Sequence, residues 1–352
     1  TKCPYTPPHE WNIDFPHLML RAKAVKYKKD GANFRDRVMT STDMLGSVLA
    51  RPVISTAANT ANKVGMFRKV LDKAVGVHHA AWVPPFASKP LRKRHKDKVG
   101  ATGTGVAAGV TKGKLAIFAT CYGNFNEPIV GDDLIRVLEH NDIAVTFAQK
   151  EVCCGMPKLE LGDLETVKKL KEVNIPQLAK LVDDGWDLTA PVPSCVLMFR
   201  QELPLMFPDD PDVMKVKAAF FDPFEYLMLR HKEGKLKTDF KSGLGVVSYQ
   251  AACHQRVQNF GRKTMEVLSL IPDTEVKIIE RCSGHDGTYA LKSERRAAAE
   301  KIVRPVARRV EQDECNHYGS DCPMAGHHIE NALGNKKPVT HPISLMRQAY
   351  GI

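Results

Sequence analysis

The sequence predicts an α/β protein with an internal duplication, preceded by a mainly helical and basic amino-terminal region. Three observations carry this. Apolar strand-like runs alternate with helical periodicities from residue 115 onward, cysteines follow the strand ends at matched intervals, and positive charge is concentrated before residue 99.

Residues 1–98 hold 19 Lys and Arg against 7 Asp and Glu, whereas residues 99–352 hold 32 against 33. The formal net charge of +11 therefore belongs to the amino-terminal third. Within it, Asp43–His78 contains two amphipathic stretches broken at Pro52. In the second, Val64, Phe67, Val70, Leu71, Ala74 and Val75 share one face, with Lys69, Asp72 and Lys73 opposite. A cationic run, Lys89-Pro-Leu-Arg-Lys-Arg-His-Lys-Asp-Lys98, follows. An apolar face beside positive charge can lie on an anionic membrane surface or pack on a partner, so residues 44–98 are expected to make peripheral membrane contact. Aromatic residues are only 7% of the chain and no nucleic-acid-binding motif occurs, which excludes nucleic acid as a partner. No run of 18 or more apolar residues and no secretory pattern is found, so a cytoplasmic location is expected, peripheral on the inner face of the cell membrane.

Residues 99–114 are small and flexible and read as a linker. The Gly103/Gly105 pair precedes a strand, where a nucleotide-binding loop would follow one. Leu115–Thr120 is then a buried-type strand ending at Cys121, Gly131–Asn141 a helix, and Ile143–Phe147 a strand ending near Cys153 and Cys154. Leu164–Val182 is a long helix before Cys195. After a helical connector at 196–243 the order recurs. Leu244–Ala252 is a strand ending at Cys253, Lys263–Leu270 a helix, and Glu275–Ile279 a strand ending near Cys282. Ala290–Glu311 is a long helix, and a loop reaches Cys322. The intervals are 32 and 41 residues in the first half (121 to 153, 154 to 195) and 29 and 40 in the second (253 to 282, 282 to 322). The repeats span 115–195 and 244–335, with 336–352 as a tail.

Ligands in open α/β sheets bind at the carboxyl ends of strands, which is where these cysteines fall. Nine cysteines, an odd number in a chain that needs no disulfide framework, suit reduced thiols available to metal. The first repeat offers Cys121, Cys153, Cys154 and Cys195, enough thiolates from separate segments for an iron–sulfur cluster. Zinc fits less well, because its sites usually use closely spaced cysteine pairs. The second repeat offers Cys253, Cys282 and Cys322. Arg281 stands where the first cysteine of the pair would be, and Cys315, His285 or His254 could supply a fourth ligand. Arg281, His285 and His254 are the candidate cofactor-contacting residues. His317, His327 and His328 are weaker candidates.

Phe118-Ala-Thr-Cys-Tyr-Gly-Asn124, Val152-Cys-Cys-Gly-Met-Pro157, Glu280-Arg-Cys-Ser-Gly-His-Asp-Gly287 and Ser320-Asp-Cys-Pro-Met-Ala-Gly326 resemble the cysteine-rich CCG domain family. That family includes the CCG-bearing component of heterodisulfide reductase and the iron–sulfur components of anaerobic glycerol-3-phosphate dehydrogenase, glycolate oxidase and lactate utilisation. The resemblance implies two duplicated Rossmann-like CCG units facing each other. It further implies a 4Fe-4S cofactor and electron transfer within an oxidoreductase complex of anaerobic respiration. Val192 and Gly319 stand where the family carries the earlier cysteine of a closing C-x-x-C. That departure argues against the five-thiolate noncubane clusters of heterodisulfide reductase. Thr1-Lys-Cys-Pro-Tyr-Thr-Pro-Pro8 looks like the tail of a ferredoxin motif, with Cys3 a ligand whose companions would lie ahead of this sequence.

The function expected is an electron-transfer subunit that passes electrons between a partner dehydrogenase and a membrane, quinone-linked acceptor, with no catalytic residue of its own. Two rivals remain: a reductase acting directly on a disulfide or hydroxy-acid at the second repeat, and a non-redox membrane-docking scaffold.

Overall fold

A computed structural model describes Tyr5 and residues 9–352; Cys3 and the remainder of the segment read as a ferredoxin tail lie outside the described residues. The amino-terminal region is helical: α1 (Phe15–Asp30), α2 (Phe34–Met39), α3 (Thr42–Leu49), α4 (Pro52–Lys63), α5 (Gly65–Val75) and α6 (Leu91–Arg94). Pro52 opens α4, where its missing N–H costs nothing.

The first α/β unit contains β1 (Lys114–Ile117), α7 (Cys121–Phe125), α8 (Pro128–His140), β2 (Ala144–Thr146), α9 (Met156–Leu161), α10 (Leu164–Asp183) and β3 (Asp187–Thr189). Next come α11 (Pro193–Leu197), a π-helical turn at Met198–Glu202, α12 (Leu203–Met206), α13 (Pro211–Ala219), the short β4 (Phe220–Phe221) and α14 (Pro223–Lys232). The second unit holds β5 (Gly245–Gln250), α15 (Cys253–Arg256), α16 (Lys263–Leu268), β6 (Thr274–Ile279), α17 (Arg296–Gln312), β7 (His317–Ser320) and α18 (Pro323–Ala332), followed by α19 (Pro342–Tyr350).

Both sheets are parallel and open on the same topology. The first runs β2-β1-β3-β4 and the second β6-β5-β7, so in each the leading strand is central and the next two flank it. This places a crevice at the carboxyl end of each sheet, where the chain reverses direction. The duplication expected from the cysteine intervals is thus present in strand order.

Strand β1 reads as an uninterrupted apolar run because both of its faces are covered. Ala116 and Phe118 join one core with Leu188, Val167 and Phe220, while Leu115 and Ile117 join another with Leu134, Leu138 and Tyr226. Burying each large side chain contributes roughly 1.5–3 kcal/mol. The segment expected as a linker is laid against this unit: Thr111 is fully buried, and the buried Arg230 donates to the Val106 carbonyl (3.0 Å) and to Thr111 Oγ1 (3.2 Å).

The amino-terminal helices are fastened to both units. His17 on α1 meets Glu202 at 3.0 Å, Lys158 donates to Thr40 and Ser41 hydroxyls at 3.1 Å each, and Arg35 meets Glu294 at 2.7 Å. Gly46 on α3 touches Phe125 on α7 so closely that a Cβ there would sit 2.2 Å from the ring. On α5 the apolar face of the amphipathic reading is left largely uncovered by the rest of the chain. Arg68 is the buried residue, while Val64, Phe67 and Val70 remain exposed. The guanidinium of Arg68 is bound by the carbonyls of His78 and Ala81 at 2.8 Å each, which lets it enter the interior.

Candidate metal centre

The strand ends of the first unit deliver its four cysteines to one place. Cys121 opens α7 just after β1, Cys153 and Cys154 follow β2, and Cys195 lies in α11 after β3. Cys153, Cys154 and Cys195 are buried to within 3–4% of complete, and Cys121 is half-buried. The thiols form a row of neighbours in which Cys121 and Cys153, Cys153 and Cys154, and Cys154 and Cys195 are near enough to perturb each other's ionisation.

Local backbone geometry explains how the turns are made. Gly155 adopts φ +100°, a region that L side chains rarely enter, and so turns the chain from Cys154 into α9. Thr120 also has positive φ (62°), and its hydroxyl caps α7 by accepting the Gly123 N–H at 2.8 Å. A strained non-glycine residue immediately before Cys121 fits a site where the surrounding structure dictates conformation.

The electrostatics distinguish the sulfurs of the row. Cys153 is held well below the ordinary thiol range because the Cys121 and Cys154 thiols donate to it, and Thr42 Oγ1 adds a third bond at 3.4 Å. Cys121 and Cys154 are pushed up, since they give those hydrogen bonds and are buried. Asp43 accepts the Cys153 N–H, and burial raises its carboxyl to about 6. Burial raises Glu151 to about 7; Arg92, at 2.9 Å, opposes the shift, and the Thr120 N–H bonds the carboxylate at 3.1 Å. Beside Cys121 a cavity of about 290 Å³ opens between Asp43, Ser47, Arg92, Asn124 and Glu151. Thr42, Asp43 and Arg92 are not legible as site residues in the sequence; no local motif marks them.

The donor set fits a multi-iron cluster. Among the described residues, no three of these sulfurs lie within 4.8 Å of one another. Four thiolates around one tetrahedral ion, at metal–sulfur distances of about 2.3 Å, would be mutually closer than that. Buried thiols from three strand ends at wider spacing suit a cluster.

The second unit brings three of its cysteines together. Cys253 follows β5, Cys282 follows β6 and Cys322 caps α18 after β7. Cys282 is lowered to about 6, chiefly by the hydrogen bond from Cys253, with the Gly284 N–H at 3.3 Å assisting. Cys322 is raised to about 11 by burial, yet is near enough to Cys253 to perturb it. Cys253 and Cys282 are exposed.

Cys315 is not brought to this group. It precedes β7, at the opposite strand end from Cys322, and sits in an apolar cluster with Val303, Val306 and Tyr318, where Lys337 Nζ approaches its sulfur at 3.5 Å. Arg281 is exposed, and its carbonyl accepts from Gln250 at 2.9 Å. His254 lies 3.9 Å from Glu160. His285 is buried three residues after Cys282, its ring 5.9 Å from that of His328, and Nε2 of each lacks a hydrogen-bond partner among the described residues. His317 starts β7, and His327 stacks on Trp82 with centroids 4.4 Å apart.

Comparison with known proteins agrees with this geometry. Residues 115–200 match CCG, a cysteine-rich domain family. The chain is 27% identical over 344 residues to a subunit of the anaerobic glycerol-3-phosphate dehydrogenase of Escherichia coli (strain K12), covering 96% of this chain and 82% of that protein. It is 27% identical over 244 residues to lactate utilization protein A of Bacillus pumilus, covering 67% and 97%. An uncharacterized iron–sulfur protein of Methanococcus maripaludis is 27% identical over 249 residues, covering 67% and 46%. Residues 115–200 thus match the cysteine-rich CCG domain family, and the chain is similar to that glycerol-3-phosphate dehydrogenase subunit and to lactate utilization protein A.

Proposed function

We propose that this chain is an iron–sulfur electron-transfer subunit of a dehydrogenase complex. The observation that carries the reading is the row of thiols gathered at three strand ends, with Cys153, Cys154 and Cys195 buried and Cys121 half-buried. Relatives named as a dehydrogenase subunit and as an iron–sulfur protein support it. A 4Fe-4S cluster held by these four thiolates would supply one-electron storage. The chain itself contributes ligands, a buried pocket and hydrogen bonds from Thr42 and backbone amides that set the potential. Cys253, Cys282 and Cys322 form the second ligand group, with His254, next to Cys253 in sequence, or His285, three residues after Cys282, as the candidates to complete it.

The acceptor side is a membrane, quinone-linked one, and the protein docks on the inner face of the membrane from the cytoplasm. Support comes from the amino-terminal helices. Val53 is 83% exposed, Met66 79% and Val70 59%, beside Lys63, Lys69 and Lys73. Each basic residue near an anionic surface contributes about 1 kcal/mol. Among the described residues no helix is long and apolar enough to cross a membrane.

The test is electron delivery. Anaerobically purified protein, reduced by its dehydrogenase, should be reoxidised by a quinone on vesicles of mixed anionic lipid, and Met66→Glu with Val70→Glu should slow this and abolish vesicle flotation. Reoxidation that needs no membrane and is indifferent to both substitutions would oppose the membrane assignment.

Direct chemistry at the second group is the other reading, favoured by the exposure of Cys253 and Cys282. Turnover of a disulfide by this chain alone, lost in Cys282→Ser, would replace the conduit reading.

A further inference from the structure

We infer that Asp72, His78 and His79 form a separate metal site, for zinc or a similar divalent cation, at the seam between the amino-terminal helices and the second α/β unit. One ligand atom of each residue lies within 4.8 Å of the other two, and this is the one such group of His, Cys, Asp or Glu among the described residues. Two imidazoles and a carboxylate form a donor set that borderline divalent cations favour, with a fourth position left for water.

The site is built by a chain reversal. Helix α5 ends at Val75, and Gly76 takes the left-handed conformation (φ 69°), its N–H returning to the Asp72 carbonyl at 2.8 Å. The chain then doubles back so that His78 and His79 pass over Asp72. Buried Arg68 fixes the returning strand by donating to the carbonyls of His78 (2.8 Å), His79 (3.2 Å) and Ala81 (2.8 Å).

The second unit fixes it from the other side. The His78 N–H donates to the Leu291 carbonyl at 2.8 Å, the Ser293 N–H donates to Gly76 at 3.0 Å, and Val77 bridges Lys292. Ser293 Oγ donates to one carboxylate oxygen of Asp72, and the other oxygen lies 2.8 Å from His79 Nδ1. A carboxylate oriented in this way by an outer hydroxyl is a common support of a metal ligand.

The two imidazoles stack with centroids 4.5 Å apart at 26°. Adjacent rings in this arrangement would repel if both were protonated. His78 lies below the ordinary histidine range, through burial first and then the neighbouring His79 and Arg296. Asp72 and Glu300 supply the negative charge facing it. The Ala80 N–H donates to His78 Nδ1 at 3.2 Å, a bond that a cation taking that nitrogen would replace. His79 is largely exposed, so an ion can enter from solvent.

Occupied, the site would clip the end of α5 to the returning chain at His78 and His79, which itself packs on residues 291–293. The simpler alternative is an Asp72–His79 ion pair with no metal.

Zinc titration by calorimetry of the anaerobically purified, cluster-containing protein separates the two. The site predicts one zinc per chain, weakened tenfold or more by Asp72→Asn and by His79→Ala, with iron content unchanged. Copper(II) bound to the wild type should show imidazole nitrogen couplings in EPR, and His79→Ala should lose one of them. A zinc isotherm indifferent to His79→Ala, or copper signals without imidazole coupling, would overturn the assignment. Because His79 is exposed and its substitution leaves Arg68 and Ser293 in place, the variant is expected to fold.

Discussion

The hydroxyl of Thr42 donates to the sulfur of Cys153 at 3.4 Å, joining an amino-terminal helix to a cysteine 111 residues away. The neighbouring carboxylate, Asp43, holds the Cys153 backbone N–H. Helix α3 is therefore a wall of the first cysteine group, which ties the basic region to that group.

Removing that hydroxyl tests the link. A hydrogen bond to a ligand sulfur stabilises the more negative, reduced state of a cluster and so raises its potential. A net bond worth about 1 kcal/mol corresponds to roughly 40 mV for a one-electron couple. Thr42→Val should make the midpoint potential of the first centre more negative by about that amount, read by EPR-monitored redox titration. Thr42→Ser should restore it.

The contact of α3 on α7 has a packing consequence. Gly46→Ala would place a methyl against the Phe125 ring. Overpacking of this kind costs about 1–3 kcal/mol. The denaturant midpoint of Gly46→Ala should fall accordingly, and an unchanged midpoint would mean that α3 is not seated there.

Gly155 carries a backbone demand of a different kind. Its φ of +100° is open to glycine alone at little cost, and an added Cβ would also meet Met198 Cε at 3.3 Å. Gly155→Ala should destabilise the protein by roughly 1–3 kcal/mol and lower iron retention, because the turn sets the direction of Cys154. Iron analysis beside thermal unfolding checks both parts.

Acid sensitivity follows from the buried histidines. His328 titrates at about 4, lowered by burial from an ordinary 6.5, and its Nε2 lacks a partner among the described residues. Below pH 6.5 the unfolded chain takes up a proton that the folded chain refuses until about pH 4. Stability present above pH 6.5 is therefore lost as the pH falls toward 4, on the order of 3 kcal/mol for this residue. His328→Leu should flatten that part of the stability–pH curve. A variant as acid-sensitive as the wild type would place the origin elsewhere, for example at His341, also held near 4 by burial.

The parts of the fold visible in the sequence are those with strong local patterns. Strands β1, β2, β5 and β6 are apolar runs covered on both faces or flanked by cysteines, and α10 and α17 carry long helical periodicity. Strand β7 (His317-Tyr-Gly-Ser) is short and partly polar and reads as a loop, and strand β3 (Asp187-Leu-Thr) reads only as part of a short apolar segment, until a neighbouring strand pairs with each. The missing β7 also explains Cys315. Interval alone does not say which end of a strand a cysteine occupies, and only Cys322 lies at the end facing Cys253. Thr42, Asp43 and Arg92 reach the centre through tertiary contacts that no local spacing encodes, and the burial of Arg68 on α5 is equally illegible because it depends on carbonyls brought by the returning chain.

The central claim is that thiols from three strand ends of the first unit hold one cluster. Anaerobic iron and sulfide quantitation with EPR, on wild type and Cys154→Ser prepared side by side, addresses it most directly. The variant should lose the iron, sulfide and signal of one cluster while remaining folded. Equal iron, sulfide and signal in the two proteins would contradict it.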